Sequence, residues 1–525
     1  MTTLTLSDAL NALSQPEFVG ALSGIKRGIE REALRINPDG RIAQTGHPKG
    51  SGHALTNPHI TTDYSEALLE FITPVSVNAE ETLGQLRDLQ KFTLAQMGDE
   101  MLWPMSMPCY ITSQEDIGLA QFGESNIGKM KTLYRQGLKS RYGSMMQAIA
   151  GVHFNMSFSD TLWTSLAKIE GYEGPLQAFI SDRYLGLIRN FKRELWLISY
   201  LFGASPSICK SFLQGRETNL PFNKVGKGTL YLEHGTALRL GNLGYTNSAQ
   251  SSLKVTYNSL CDYVKGLQSA IRTKSELYSS IPDYRSEEPM QLNGNILQIE
   301  NEFYSPIRPK RNTKAGETPT QALMRDGIEY IEVRALDVNP FVQEGISIEQ
   351  IHFLDVFLTY CLLKDSPELE WEEQQATQRN LQCVVNEGRD QSILLDDAGN
   401  PVSLSEWATR IFADLEVVAK ALDSAYQSSV YSKTIATMKD WVDDSSLTYS
   451  GRFVQMLKDK QMDGGAIAID FAKQYKQQQL AGLYSVYSEK MLNELADTSF
   501  TKAKEIEEND EKSFKAFLQD YFEKA

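Results

Sequence analysis

The stretch GIEREALRI, residues 28–36, decides how the chain is read. As a β-strand it alternates between faces, and Glu30 and Glu32 then point the same way. Two like charges side by side cost free energy unless water or a cation compensates them. Other stretches carry the same alternation. In GVHFNMSF (151–158), Val152, Phe154, Met156 and Phe158 face one way and His153, Asn155 and Ser157 the other. IEYIEVRAL (328–336) opposes Ile331 and Val333 to Tyr330, Glu332 and Arg334, and NILQIENEFY (295–304) aligns Gln298, Glu300, Glu302 and Tyr304. EALLEFITP (66–74) sets Glu70 between Leu68 and Ile72, a carboxylate on an otherwise apolar face.

A half-exposed antiparallel sheet with a solvated polar face is one reading of these strands. Two details favour another. The polar positions are mostly Glu, Tyr, His, Asn and Arg, and lysine, a common guard of exposed edges, is absent from them. Carboxylates with one imidazole are also a ligand set for hard divalent cations. If the strands adjoin in one sheet, Glu30, Glu32, Glu70, His153 and Glu332 converge on magnesium. Mg²⁺ is usually held by few carboxylates together with substrate phosphates. Such a site beside Arg334 and Arg239 points to nucleotide phosphates gripped by metal and guanidinium together.

The usual phosphate loop is missing. GESNIGK (123–129) fits its glycine and lysine spacing, but Met130 stands where a Ser or Thr should follow, and no clear apolar strand precedes it. Nor is there a His-Glu-x-x-His, a Gly-x-Ser-x-Gly or a Gly-x-Gly-x-x-Gly opening a helix. The basic run PIRPKR (306–311) reads as a solvated loop, and Cys109 and Cys209, among apolar residues, as buried inert thiols.

The chain has 525 residues, 41% of them hydrophobic and 23% charged, which is globular composition. Its net charge of −15 argues against a large nucleic-acid footprint. The most apolar run, LWLISYLFGA (195–204), is about half of a membrane span, and the N-terminus lacks the basic and apolar regions of an export signal. Five scattered cysteines suit a reducing compartment, so a cytoplasmic protein without membrane or nucleic-acid partners is expected. Helices are expected at 5–23, 79–98 and 176–201, and strand-like pattern returns over 290–340. Beyond about 345 the periodicity is helical and rich in Glu, Lys and Ala. The expectation is an α+β body over 1–345 and a mainly helical region over 346–525, packed on the body rather than independent.

GIEREALR, TTDYSEALLEFITP, MGDEMLWPMSMPCYI, KTLYRQGLKSRYG, GVHFNMSF, YLFGASPSICKSFL, LQIENEFYSPIRPKR and GIEYIEVRALDVNPF, in order over about 24–341, together resemble the proteobacterial glutamate–cysteine ligase family. The resemblance implies a curved, largely antiparallel sheet similar to that of glutamine synthetase, its concave face holding the site and its helices packed outside. It implies ATP-dependent joining of L-glutamate to L-cysteine through γ-glutamyl phosphate, with Mg²⁺ or Mn²⁺. Glutathione as a feedback inhibitor and a monomeric state follow from the same likeness. Carried over residue by residue, Glu30, Glu32, Asp63, Glu70, His153 and Glu332 are the implied metal ligands. Arg334 resembles the residue that holds the transferring phosphoryl group, and Arg239 the one that pairs with a substrate carboxylate. Tyr64, Tyr134, Leu138, Gln147, Tyr245 and Tyr304 resemble the cysteine pocket. A related ligase using another amine and a silent nucleotide-binding regulator are the alternatives.

Overall fold

The computed structural model describes residues 4–243, 253–314 and 316–524. GIEREALRI falls in strand β1 (Lys26–Ile36). Around it lie β2 (Ile60–Thr62), β3 (Leu68–Ile72), β4 (Met101–Leu102) and β5 (Val152–Ser157). A small separate sheet holds β6 (Ser207–Cys209), β7 (Asn223–Val225) and β8 (Thr229–Tyr231), after which β9 (Ile307–Lys310) and β10 (Tyr330–Leu336) return to the main sheet. The main order is β2-β3-β1-β5-β10-β9, with β4 pairing to the end of β1, and these ladders are antiparallel.

The alternation read in β1 holds, and its other face is unusual. Arg27, Arg31 and Arg35 point with Ile29 and Ala33 into the core and are all buried. A buried guanidinium needs partners. Arg27 has Asp355, with Nη2 to Oδ2 at 2.6 Å, and Arg35 has Glu100 at 2.5 Å. Arg31 donates to the Gln343 carbonyl at 3.3 Å, and burial pulls its pKa down to about 10. Helix Ala79–Gln96 lies against β1 and β3, and helix Leu176–Phe202 against β9 and β10.

Asp355 belongs to helix Ile348–Leu363, which is apolar nearly all round and accordingly buried on every side. The later periodic stretches form helices Leu404–Tyr426, Glu489–Glu508 and Phe514–Lys524. One apolar core runs from Ala9 to Leu492 and takes side chains from both sides of residue 345. The apolar run 195–204 closes helix Leu176–Phe202, and among the described residues no helix is long and apolar enough to cross a membrane.

Three expectations need correction. The amino-terminal helix spans only Leu6–Leu13, because Pro16 cannot continue it and a 3₁₀ turn follows at Pro16–Phe18. NILQIENEFY is no strand. Glu302 accepts the backbone N–H of Gln298 at 2.7 Å, and a 3₁₀ turn covers Glu300–Glu302. These local bonds take the place of ladder pairing. Glu300 therefore leaves the shared face and receives the Thr320 N–H and hydroxyl at 2.8 and 2.5 Å. PIRPKR is not a solvated loop either. It contains β9, with Arg308 buried opposite Glu332.

Candidate active site

In an antiparallel ladder, residues directly opposite share a face. The register sets Glu30 against His153, Glu32 against Glu70, and Glu332 against Asn155 on one side and Arg308 on the other. One face of four strands, β3, β1, β5 and β10, thus gathers these carboxylates and the imidazole. Glu30 Oε2 lies 3.0 Å from His153 Nδ1, and its Oε1 accepts from Asn155 Nδ2 at 2.9 Å. Glu32 Oε1 is 3.6 Å from His153 Nε2, while its Oε2 accepts the Gly151 N–H at 2.6 Å. Ligand atoms of Glu30, His153 and Glu332 all fall within 4.8 Å of one another, a spacing one cation can bridge.

Electrostatics separates the members of the cluster. Burial, then the neighbouring Glu30, Asp63 and Glu32, push the Glu70 carboxyl well above its ordinary range. Burial raises Glu32 too, against the pull of His153. Burial most strongly opposes ionisation of Glu30, but the hydrogen bond and charge of His153 together with Lys310 bring the group below normal. Glu332 is held well below normal despite burial, because Lys310 Nζ stands at 3.1 Å and Arg334 Nη1 at 3.3 Å. Acids crowded until one resists ionisation are a site with cation demand, and the donor set fits a hard divalent ion.

Arg334 shares the face of Glu332 by alternation, and an irregularity in the ladder lies beside it. Val333 pairs with Phe154 and Leu336 with Val152, so three steps on β10 oppose two on β5. Such a bulge turns a side chain without breaking the strand. The Arg334 carbonyl accepts from Arg239 Nη2 at 2.9 Å. Arg239 is buried, close enough to Glu32 and Tyr304 for its charge to act on both, and packed so closely on Gly151 that a Cβ there would fall 2.1 Å from its Nη2.

The face opens into a cavity of about 590 Å³. Glu30, Glu32, Asp63, Glu70, His153, Glu332 and Arg334 line its floor, and Tyr64, Tyr134, Leu138, Gln147 and Tyr304 its walls. Tyr64 hydrogen-bonds Ser144 at 2.8 Å, and burial pushes its phenol up to about 12. Burial also raises Tyr134 and Tyr304. Tyr245 lies outside the described residues. Cys109, set apart from the cavity, is buried and its thiol pushed up by burial, as an inert cysteine would be, while Cys209 is half-buried.

Several lining residues were missed. Arg135 and Arg141 extend from helix Asn126–Tyr142 at the spacing of Leu138, a helical stripe visible in YRQGLKSRY. Arg135 Nε donates to the Asp63 carbonyl. Arg308 and Lys310 reach in from β9, and Glu302 anchors Arg141 at 3.0 Å. Alternation in 307–310, directly before a loop, was the available signal.

An acid-floored cavity rimmed by Arg and Lys thus lies on one face of an antiparallel sheet. Residues 10–384 match the family model for glutamate–cysteine ligase, leaving the last helices outside the match. The glutamate–cysteine ligase of Pseudoalteromonas translucida is 61% identical over 523 residues, covering all of both chains. That of Vibrio campbellii is 50% identical over 499 residues, 94% of this chain and 95% of its own. The crystal structure of glutamate–cysteine ligase from Francisella tularensis in complex with AMP superposes with a TM-score of 0.88 at 35% identity, covering 95% of this chain and 98% of that one. A bifunctional glutathione synthetase from Pasteurella multocida superposes at 0.71 with 25% identity, over 91% of this chain and 55% of its own. The chain belongs to the glutamate–cysteine ligase family.

Proposed function

We propose that this cavity carries out the two-step ligation that the family name denotes. An oxygen of the glutamate γ-carboxylate attacks the γ-phosphorus of ATP, the bond to the β-phosphate oxygen breaks, and ADP leaves. The unprotonated amine of cysteine then attacks the γ-carbon of γ-glutamyl phosphate. Phosphate departs with the former carboxylate oxygen, the amine proton passes to solvent, and γ-glutamylcysteine remains.

The observation that carries the reading is the cluster of Glu30, His153 and Glu332, with ligand atoms within 4.8 Å, beside Arg334. Glu30, Glu32, Asp63, Glu70, His153 and Glu332 would hold Mg²⁺, or Mn²⁺ in its place. A bound divalent ion there neutralises charge on the phosphate oxygens. Arg334 offers a planar fork to the transferring phosphoryl group. Positioning and charge neutralisation are most of what phosphoryl transfer asks of a protein. Arg239, which donates a hydrogen bond to the Arg334 carbonyl, would pair with a substrate carboxylate. Tyr64, Tyr134, Leu138, Gln147 and Tyr304, with Tyr245, form the cysteine side.

A reducing cytoplasmic setting suits the five free cysteines. A monomer suffices, since one chain supplies the cavity. Glutathione contains the same γ-glutamylcysteinyl unit as the product, so it presents matching groups and acts as an inhibitor. The test is ADP release with glutamate, cysteine, ATP and Mg²⁺, each omitted in turn, and with ¹⁸O in the glutamate γ-carboxylate. Transfer of ¹⁸O to phosphate is expected, and its absence would rule out the acyl phosphate.

A further inference from the structure

The last helix, Phe514–Lys524, stays out of the main core. Leu518, fully buried, packs with Met130, Leu133 and Leu292 in a small cluster of their own, with Phe514, Phe517, Tyr521 and Phe522 around it. Met130 and Leu133 belong to helix Asn126–Tyr142, whose adjoining side gives Tyr134, Arg135, Leu138 and Arg141 to the cavity. The tail also pins the start of that helix. Asp510 Oδ2 accepts the Asn126 N–H at 2.5 Å, where a carboxylate meets the positive helix end, and Asn126 Nδ2 donates to the Lys512 carbonyl at 2.9 Å.

The same tail holds the loop that grips the helix from its other end. Phe522 lies 5.6 Å from the Tyr284 ring, and Lys515 Nζ donates to the Arg285 carbonyl at 3.1 Å. Further along that loop, Gln298 packs on Gly137 so tightly that a Cβ there would sit 2.0 Å from its Oε1. Glu302 then takes Arg141 at 3.0 Å and the Tyr142 hydroxyl at 2.5 Å. Helix and loop both end in cavity-lining side chains, and one carboxy-terminal segment joins them.

We infer that residues 510–524 are a clasp that sets the position of helix Asn126–Tyr142 against the 284–304 loop, and through it the acceptor side of the cavity. Leu518 is a positioning residue, acting through Met130 and Leu133 on Tyr134 and Leu138. Only the identity of the affected substrate rests on the proposed cysteine pocket. The clasp itself rests on its contacts.

The experiment uses the full chain with Leu518→Asp, its conservative partner Leu518→Met, and a second variant ending at Asn509. Each is checked by circular dichroism, melting, hydrogen exchange over residues 126–142, and KM and kcat for all three substrates. Small displacements of positioning groups are expensive, so KM for cysteine should rise about tenfold or more in Leu518→Asp and in the shortened chain. KM for ATP should stay within about twofold, Leu518→Met should behave as wild type, and a peptide of residues 510–525 should restore the shortened chain. A rise confined to glutamate or ATP would keep the clasp and overturn the cysteine assignment of that wall. Unchanged kinetics and exchange in both disrupted variants would overturn the clasp.

Discussion

Glu30 stands directly opposite His153 across the β1–β5 ladder, its Oε2 3.0 Å from the imidazole Nδ1. That contact orients the ring and turns Nε2 toward Glu32, 3.6 Å away. A carboxylate behind a histidine is a common way to fix ring orientation where the other nitrogen meets a metal. Here the carboxylate itself belongs to the acid cluster, so ring and acids form one unit.

Glu70→Gln tests that unit from its most crowded member. Burial and three neighbouring carboxylates already resist its ionisation, so a neutral amide suits the metal-free site at least as well as the carboxyl does. The metal-free variant should melt at or above the wild-type temperature. The Mg²⁺ concentration for half-maximal activity should rise by at least about 10- to 100-fold, the loss that removing even a group behind a ligand commonly causes. Melting without metal and activity against Mg²⁺ check both. An unchanged Mg²⁺ requirement would remove Glu70 from the ligand set.

Arg334→Lys keeps the charge and loses the planar fork. If the guanidinium fork holds the transferring phosphoryl group, kcat should fall on the order of 10²-fold, with circular dichroism unchanged. Steady-state kinetics at saturating ATP decides it. A raised KM for ATP at wild-type kcat would assign Arg334 to binding alone.

The Arg27–Asp355 pair lies on the core face, away from the cavity, and ties the sheet to helix Ile348–Leu363. Asp355→Ala leaves a buried guanidinium without its partner and should cost about 3–5 kcal/mol in urea unfolding. Arg27→Met with Asp355→Leu should recover most of that loss, since neither charge then needs compensation. If the double variant is no more stable than Asp355→Ala, the pair does more than offset its own burial.

The sheet was legible because its strands keep a strict two-residue period, which sets Glu30 with Glu32 and Glu332 with Arg334 within their strands, whereas their meeting with Glu70 and His153 depended on which strands adjoin. NILQIENEFY shows the limit of that signal. It has the same alternation, yet Glu302 bonds back to Gln298 and no strand forms. The three arginines of β1 were equally visible, but only their partners in distant segments explain how they are buried. Arg135 and Arg141 follow a helical stripe that needed only to be read as one.

Stability should also fall in acid through His47. Its side chain is half-buried, with Nδ1 2.9 Å from the Thr62 hydroxyl, and burial, then the nearby Arg35, pull its pKa from 6.5 to about 4. The cation is thus disfavoured in the folded state. Between pH 6.5 and about 4 the unfolded chain binds more protons at this residue than the native one, so stability drops as pH falls through that window and levels off below it. One pKa unit corresponds to about 1.4 kcal/mol, which puts the contribution at about 3 kcal/mol across the window. Other groups titrate there too, so the measurement is a difference: urea unfolding at pH 7, 5.5 and 4.5 for the wild type and for His47→Asn. The variant should lose stability less steeply as pH falls, whatever its stability at pH 7. Parallel pH profiles in the two proteins would show that His47 takes up its proton equally well folded and unfolded.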